Sequence, residues 1–438
     1  MDCRIDEDPP PKERGLMNRK APPSAVLLKS VLPKILFLGL VPPEAGGKLI
    51  CGAAVHGWEL ARQASQRGYE VFFAANTRFR SSLVMDGVRV ISLPRQPLTK
   101  AWRGMKAYFV SSRETRMALK PFRPKERIAI LGRSEFLKKL LRIFKPDLIH
   151  VHSLEHAWPL CCKLVSCPIP VVTTDHGFWH VVKREKDRLK TERSLAGTAR
   201  LIAVSEYGRR QANFFGLNAQ TTTRVVYNPV NPDRLLLMDK KTIKRKWGFT
   251  DKKIVFFSGI TESVRIKGLD ILLEAFAGNE SLKASSRLIV IADEEGLSRA
   301  RKYARKFGLQ GIFSGAETWE RIQEFYNAAD VCVVPSRSES FGLVYEESLL
   351  AGVPVVGFFE SVRELEAILG INVGEQFNPE TETSRDLARK IIQVLSRVVD
   401  RQALRERIVA RLSWESEFRQ FDLLYKDLIN SRKGNMGG

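Results

Sequence analysis

The sequence predicts an α/β protein of two doubly wound, Rossmann-like domains. Three observations predict it. At 438 residues the chain exceeds what one ordinary core holds, and its apolar fraction of 44% is enough to build two. Short apolar runs recur along it with helix-period stretches between them, the rhythm of parallel strands joined by crossover helices. The periodicity breaks at Asn228 to Asp233 (NPVNPD), where two prolines and two asparagines interrupt it.

The elements follow in order. Ile35 to Val41 (ILFLGLV) is a short apolar run ending at the turn signal PPEAGG, and an amphipathic pattern runs from Ala53 to Arg67. Gly68 stops that helix and Tyr69 to Ala74 reads as the next strand, so the chain opens with a β-α-β unit and parallel pairing. Further strands are expected at Leu148 to Val151, Val171 to Thr174, Leu201 to Val204, Ile254 to Ser258, Leu288 to Ala292 and Val331 to Val334. The expected organisation is a disordered leader over 1–33, a first domain over 34–230, a second over 231–395, C-terminal helices over 396–430 and a disordered tail over 431–438. Residues 1–33 lack the apolar stretch and cleavage site of a secretory signal, and a second methionine at Met17 leaves a misassigned start as an alternative.

Charge is the main compositional signal. The formal net charge is +22, and Thr77 to Pro146 carries 18 Lys and Arg against four acids, Asp86, Glu114, Glu126 and Glu135. Such a field favours an anionic partner, whether phospholipid headgroups, a lipid phosphate or nucleic acid; the plain alternative is a solubilising face. Trp102, Met105, Tyr108, Phe109 and Val110 sit among these charges, which fits either a membrane-surface helix or a core-facing stripe. The six cysteines include no CxxC pair and no zinc-finger spacing, so reduced thiols in a cytosolic protein are expected. No apolar run approaches the roughly 20 residues of a bilayer span, and a soluble protein is expected.

In open α/β sheets, ligands sit beyond the carboxyl ends of the strands. The loops there carry Asp175-His176-Gly177, Ser205-Glu206 and Pro335-Ser336-Arg337-Ser338-Glu339. Val331 to Val356 (VCVVPSRSESFGLVYEESLLAGVPVV) reads as a buried strand, a polar loop, a helix beginning near Phe341 and a further strand. Glu339 lies before the helix and Glu347 nearly two turns along it, so one carboxylate can face a sugar while the other reaches a ribose. Backbone N–H groups at Phe341, Gly342 and Leu343 would form an anion site, with Gly342 allowing close approach of a phosphate. On spacing alone the alternative is an ordinary surface helix behind a serine-rich loop.

At these residues the sequence resembles the retaining glycosyltransferases of the B fold, family 4 (glycosyl transferases group 1). Glu339, Ser340, Phe341, Gly342, Leu343, Glu347, Gly352, Pro354 and Val355 occupy the places of the family's Glu-x7-Glu signature. The resemblance covers roughly residues 35 to 430. It implies two Rossmann-like domains facing a central cleft, the B-type glycosyltransferase fold, with a nucleotide-diphosphate-sugar as donor. By resemblance Glu339 binds donor-sugar hydroxyls and Glu347 the ribose. CGAAVHGWELARQASQRGYEV matches the opening glycine loop and helix, with Gly52 at the second glycine and Cys51 replacing the first. PDLIHVHS and VVTTDHG match the two His-bearing strand ends. His176 is the catalytic candidate there, whereas His150 and His152 read as finishing a strand and packing. Ser205-Glu206 is expected at a domain-closure contact and Asn228 in the interdomain linker, where Pro229 replaces the usual glycine.

FFSGITESVRIKGLDILLEAF matches the phosphate-binding element, with Gly259 ending its strand and Lys267-Gly268 entering its helix. Lys267 is the candidate to stabilise charge on the departing diphosphate. Ile260 stands where many relatives carry arginine, and Arg265 is expected to replace that charge. Ala292 to Gly296 replaces a glycine-rich turn, which leaves the base open; by resemblance the base sits near Ile312 to Gly315, covered by Trp319 to Ala329. Trp414 to Leu428 is similar to the helix that crosses back to the first domain.

The resemblance implies retention of anomeric configuration and an enzyme needing neither cofactor nor metal ion. The acceptor is expected to be a saccharide or lipid-linked molecule of the cell envelope, with residues 77–146 meeting an anionic membrane surface on the inner face of the plasma membrane. No nucleic-acid partner is expected, because RNP-like aromatic strands and basic heptads are missing. The rival readings are a catalytically silent nucleotide-sugar-binding relative, a basic protein of anionic surfaces, and an epimerase of the same fold.

Overall fold

The computed structural model describes residues 33–47, 51–79, 82–93, 109–152, 154, 156–177, 180, 182–216, 222–259 and 265–436. Two sheets organise them. The first contains β1 (Lys34–Gly39), β2 (Glu70–Ala75), β3 (Leu83–Met85), β4 (Val88–Ser92), β5 (Leu148–Val151), β6 (Val171–Asp175), β7 (Arg200–Ala203) and β8 (Thr222–Val225). Its order is β3-β4-β2-β1-β5-β6-β7-β8, parallel except for the β3–β4 hairpin. The second contains β9 (Lys253–Gly259), β10 (Ser286–Ala292), β11 (Gly311–Ser314), β12 (Val331–Val334), β13 (Val355–Phe358) and β14 (Gly374–Phe377), in the order β11-β10-β9-β12-β13-β14. Each order reverses direction once, between β1 and β5 and between β9 and β12. Ligand crevices open at such switch points, beyond the strands' carboxyl ends.

Burial on both faces explains the near-continuous apolar strands. One core surrounds the second sheet, with Phe256, Phe276, Val333 and Ile391 at its centre. Two lie on opposite faces of the first: Leu36, Phe72, Leu140 and Trp158 on one side, Phe37, Trp58 and Phe73 on the other. The second of these is completed from the far end of the chain. The helix Trp414–Met436 adds Trp414, Phe418, Phe421 and Tyr425 to it. Tyr425 Oη lies 2.6 Å from His150 Nδ1, Tyr69 donates to Asp422 at 2.7 Å, and Arg67 pairs with Glu415 at 2.9 Å. This helix runs on to Met436, beyond residue 431 where the sequence suggests a disordered tail. Once Leu428 and Ile429 are docked, each further residue adds a hydrogen bond to an existing helix and needs no new nucleus.

The basic segment divides. The helix Pro124–Phe144 turns Ile130, Leu131, Leu137 and Leu140 into the core, a core-facing stripe beneath a charged outer face. Phe109 and Val110 instead stand 82% and 80% exposed. Trp102, Met105 and Tyr108 lie outside the described residues.

The two halves meet through a short clasp at their strand ends. Ser340 Oγ donates to the carbonyl oxygen of His176 at 2.8 Å, and Ser205 Oγ donates to the carbonyl of Ser340. Glu364 accepts from the backbone N–H groups of Glu206, at 2.6 Å, and Tyr207, at 3.3 Å. Gly177 sits in the clasp with φ of 102°, and a Cβ there would fall 2.2 Å from His180 Cδ2 and 2.4 Å from Ser340 Oγ. Left-handed backbone and close approach both require glycine. Gly177→Ala is therefore expected to destabilise the chain by about 1–3 kcal/mol, read as a lowered Tm; an unchanged Tm would show that the clasp yields freely.

Glu417 lies where the crossing helix meets the linker, accepting from Gln420 Nε2 at 2.7 Å. Burial pushes its carboxyl up to about 7, against hydrogen bonds from the Tyr227 backbone, Gln420 and Ser416. A raised carboxyl contributes stability below its unfolded value, lost as pH rises through 7. Glu417→Gln should match the wild type near pH 4 and exceed it by about 1–3 kcal/mol at pH 8, which thermal melts across that range would reveal.

Candidate active site

The site is built from the carboxyl ends of β9, β12 and β6. Strand β9 ends at Gly259, where a Cβ would come within 3.0 Å of Phe257 and 3.3 Å of Lys267 Cβ, so the glycine lets the lysine stem lie across it. Ile260 falls outside the described residues. Gly268, at φ of 74°, caps the helix Leu269–Ala277, and a Cβ there would lie 2.1 Å from the Pro335 carbonyl oxygen. The loop after β9 thus touches the loop after β12. That contact sets Lys267 beside Glu339, with Nζ 2.7 Å from Oε2 and side chains only 12% and 11% exposed. Ser336 Oγ donates to the same oxygen at 3.3 Å. Arg337 binds Asp270 through two bonds of 2.9 Å and its backbone N–H donates to Ile266 O at 2.8 Å, which fixes the lysine's approach.

Arg265, expected to carry the charge missing at position 260, is exposed, and its carbonyl accepts from Arg337. The described side chain contacting Glu339 from this loop is Lys267; Arg337, which sequence reasoning passed over, is the arginine built into it.

The following helix departs from expectation at its start. It spans Leu343–Leu350, two residues later than the sequence suggests, because Gly342 takes φ of 102° and cannot be its first turn. Tyr345 N–H donates to Gly342 O at 2.9 Å, so the N–H groups at the helix start are those of Leu343, which was anticipated, and Val344, while Phe341 and Gly342 precede the helix. Gly342 answers first to its own turn, since a Cβ would lie 2.4 Å from Tyr345 Cδ2. Phe341 is fully buried against Tyr227, with ring centroids 5.4 Å apart; its side chain is core and leaves the cleft to its neighbours. Leu343 instead faces Gly52, whose Cβ position lies 3.1 Å from Leu343 Cδ1.

Glu347 is not brought onto Glu339's partners. It accepts from Tyr326 Oη at 2.6 Å and lines a cleft with Arg234, Trp319, Asn231 and Leu343. Burial raises its carboxyl above the usual range, opposed by the Arg234 charge and the Tyr326 bond. The Arg234 guanidinium lies over the Trp319 ring at 4.4 Å. Arg234 was not visible as a site residue in the sequence, because it belongs to no motif; Trp319 and Tyr326 fall in the segment expected there.

Across the cleft stands His176. Burial pushes its imidazole down to about 4, so it is neutral at pH 7 and able to donate at one nitrogen and accept at the other. Its Nε2 lies 3.3 Å from His152 Nδ1. His180, four residues on, is also held at about 4 by burial, with Glu339 raising it and Lys267 lowering it. Its Nδ1 lies 2.7 Å from Ser338 Oγ and its Nε2 3.3 Å from Ser340 Oγ. The strand-end loop was legible, but not this second imidazole. His150 and His152 both pack, His150 between Tyr425 and Thr174 and His152 against Phe37; His152 also faces His176, and His56 reaches the same place from the helix Gly52–Gln66. Asp293 caps the helix Glu294–Phe307, accepting from Gly296 N–H at 2.8 Å, which explains why a glycine turn is dispensable there.

Comparison with known proteins agrees with this architecture. Residues 50–234 match the family model described as Glycosyltransferase Family 4, and residues 239–410 that described as glycosyl transferases group 1. The chain is 26% identical over 294 residues to an uncharacterised glycosyltransferase of Methanocaldococcus jannaschii, covering 64% of this chain and 76% of that one. It is 34% identical over 211 residues to a D-inositol 3-phosphate glycosyltransferase of Acidothermus cellulolyticus, covering 43% and 46%. It thus spans about half the length of that relative. Among solved structures, sucrose-phosphate synthase from Thermosynechococcus elongatus superposes with a TM-score of 0.70 at 20% identity, covering 91% of this chain and 100% of that one. Anabaena HepE in complex with UDP-glucose superposes with a TM-score of 0.63 at 16% identity, covering 92% and 99%. With both halves matched and two parallel sheets meeting at their strand ends, the chain belongs to the group 1 glycosyl transferases and has the B-type glycosyltransferase fold.

Proposed function

We propose that the protein moves a hexose from a nucleotide-diphosphate-sugar to an acceptor with retention of anomeric configuration. The observation that carries this reading is the Lys267–Glu339 pair of 2.7 Å at the β9/β12 switch point, with the neutral His176 on the facing strand end. In this reading Lys267 turns to the diphosphate when donor binds, and Glu339 accepts hydrogen bonds from sugar hydroxyls. Backbone N–H groups of Leu343 and Val344 add to the phosphate site, with Ser340 and Gly342 shaping the loop before them. Glu347 holds the ribose, and His176 binds a sugar hydroxyl without bringing a charge.

As the bond between the anomeric carbon and the diphosphate oxygen breaks, negative charge grows on the β-phosphate, where a fixed ammonium lowers the barrier. The acceptor oxygen forms its new bond on the same face, and its proton passes to the departing phosphate. Glu339 and Glu347, bound to different partners, are not the flanking acid pair of a glycosidase. Neither is assigned as a nucleophile.

HepE was crystallised with UDP-glucose, and other relatives are named for transfer to D-inositol 3-phosphate. A UDP-hexose is therefore the first donor to try, and a phosphorylated polyol, a saccharide or a lipid-linked cell-envelope intermediate the first acceptors. The basic first half supports an anionic acceptor or membrane surface. No described helix is long and apolar enough to cross a membrane; the exposed Phe109 and Val110 stand ahead of Arg113, Arg116 and Lys120.

Release of free nucleoside diphosphate from a panel of UDP-, GDP- and ADP-hexoses tests the donor half of the proposal. Slow release from one donor is expected, falling about 10²–10³-fold in Lys267→Ala and in Glu339→Ala; equal release by all three proteins would remove these roles. Vesicle co-sedimentation tests the surface. Binding should require anionic lipid and weaken as salt is raised, and equal binding to neutral vesicles would exclude an electrostatic membrane contact.

A further inference from the structure

We propose that His56, His152 and His176 form a transition-metal site, a tris-imidazole set suited to Zn²⁺ and similar borderline divalent ions. One ring nitrogen from each lies within 4.8 Å of one from each of the others. The residues come from three elements: the helix Gly52–Gln66, the end of β5 and the end of β6. No local spacing announces them.

The place looks built for these rings. A Cβ on Gly57 would lie 3.0 Å from His152 Cγ, and one on Gly39 would lie 3.2 Å from His152 Cβ, so two glycines leave the space that the ring fills. Trp414 stacks on His56 at 5.8 Å and Phe37 on His152 at 5.8 Å, walling the cluster with aromatic rings. His56 is 4% exposed and His152 1% exposed. Neither nitrogen of His56 and not Nε2 of His152 has a hydrogen-bond partner among the described residues. A buried polar group left unsatisfied is destabilising. A metal ion would use a His56 lone pair that the protein leaves unused, and on the other two rings it would take the place of the His152 Nδ1–His176 Nε2 contact.

Geometry sets the adjustment needed. With metal–nitrogen bonds of about 2.0–2.1 Å, tetrahedral ligands stand roughly 3.3 Å apart. His152 Nδ1 and His176 Nε2 already have that separation, 3.3 Å. The His56 nitrogen lies no more than 4.8 Å from each of the other two, which bounds the remaining closure. Three protein ligands leave a fourth position for water. Because His176 is also the imidazole assigned to the donor sugar, occupancy would withdraw it and inhibit transfer; that consequence rests on the proposed function, whereas metal binding does not.

The experiment uses the full untagged chain, stripped with chelator and then titrated with Co²⁺ by visible absorption and with Zn²⁺ by equilibrium dialysis. The site predicts one ion per chain, a tetrahedral Co²⁺ band, and affinity about tenfold or more weaker in His56→Gln and His152→Gln. His156→Gln, which alters an imidazole bonded to Asn76, should bind as the wild type does. Zn²⁺ should also raise the wild-type Tm, a readout that needs no variant. Lack of uptake and of a Tm rise, or uptake undiminished in a folded His56→Gln chain, would overturn the site. Uptake of one ion with donor hydrolysis unchanged would keep the site and overturn its inhibitory consequence, separating the failure of His176's assigned role from failure of the metal site.

Discussion

The hydrogen bond from Ser340 Oγ to the carbonyl of His176 is the constraint on which the cleft depends. It joins the loop after β12 to the loop after β6, so two sheets with separate cores present their carboxyl ends to one space. Ser205 closes the same knot by donating to the Ser340 carbonyl, and Gly177 leaves the room for it. Since Glu339 immediately precedes Ser340, any shift of the clasp moves the carboxylate that Lys267 holds. Assembly of the domains and assembly of the site are one event in this chain.

Burial then divides the polar groups of the cleft into two kinds. Lys267 and Glu339 are mutually compensated, with Ser336 on the same oxygen, so charge is tolerated where neither side chain is more than 12% exposed. The imidazoles and the carboxyls of Glu346 and Glu347 are pushed toward their neutral forms by desolvation. Glu346 has no hydrogen-bond partner on either oxygen among the described residues, and the neighbouring Glu347 and Glu339 charges reinforce the effect of burial. The cations these groups leave in the cleft are Lys267, balanced by Glu339, and Arg234, which lies over Trp319. That is the polarity a nucleoside diphosphate asks for.

Much of this was legible in the sequence, and the limits are physical. Strands buried on both faces read as apolar runs, so β5 and β12 fall on the expected residues and β1, β6, β7 and β9 within one or two of their ends. Short or half-exposed strands escaped: β3 begins with two exposed residues, and β14 buries only its ends. Glu339 and Lys267 could be placed because a strand end and a following helix start fix them within one contiguous segment each. Phe341 was expected to offer its backbone N–H at the helix start, but the helix begins two residues later, and its ring packs on Tyr227. Arg265 is exposed, and the arginine bonded to this loop is Arg337.

His56, His152 and Arg234 show a different limit. Each reaches the cleft through a tertiary contact between elements far apart in the chain, and no periodicity or spacing encodes it. The crossing helix makes the point most clearly. Tyr425 stands 275 residues from His150, yet their 2.6 Å contact holds β5 beneath the C-terminal helix, and His152 two residues further along projects toward His176 as a result. Position along β5 alternates faces, so fixing His150 from one side fixes the register of His152 relative to it. The last helix of the chain thus steadies imidazoles of the first domain, while Val230 N–H bonds Leu412 O at 2.6 Å and ties the linker to the preceding helix. Both domains share their boundary with the same helical segment, and that segment frames the cleft.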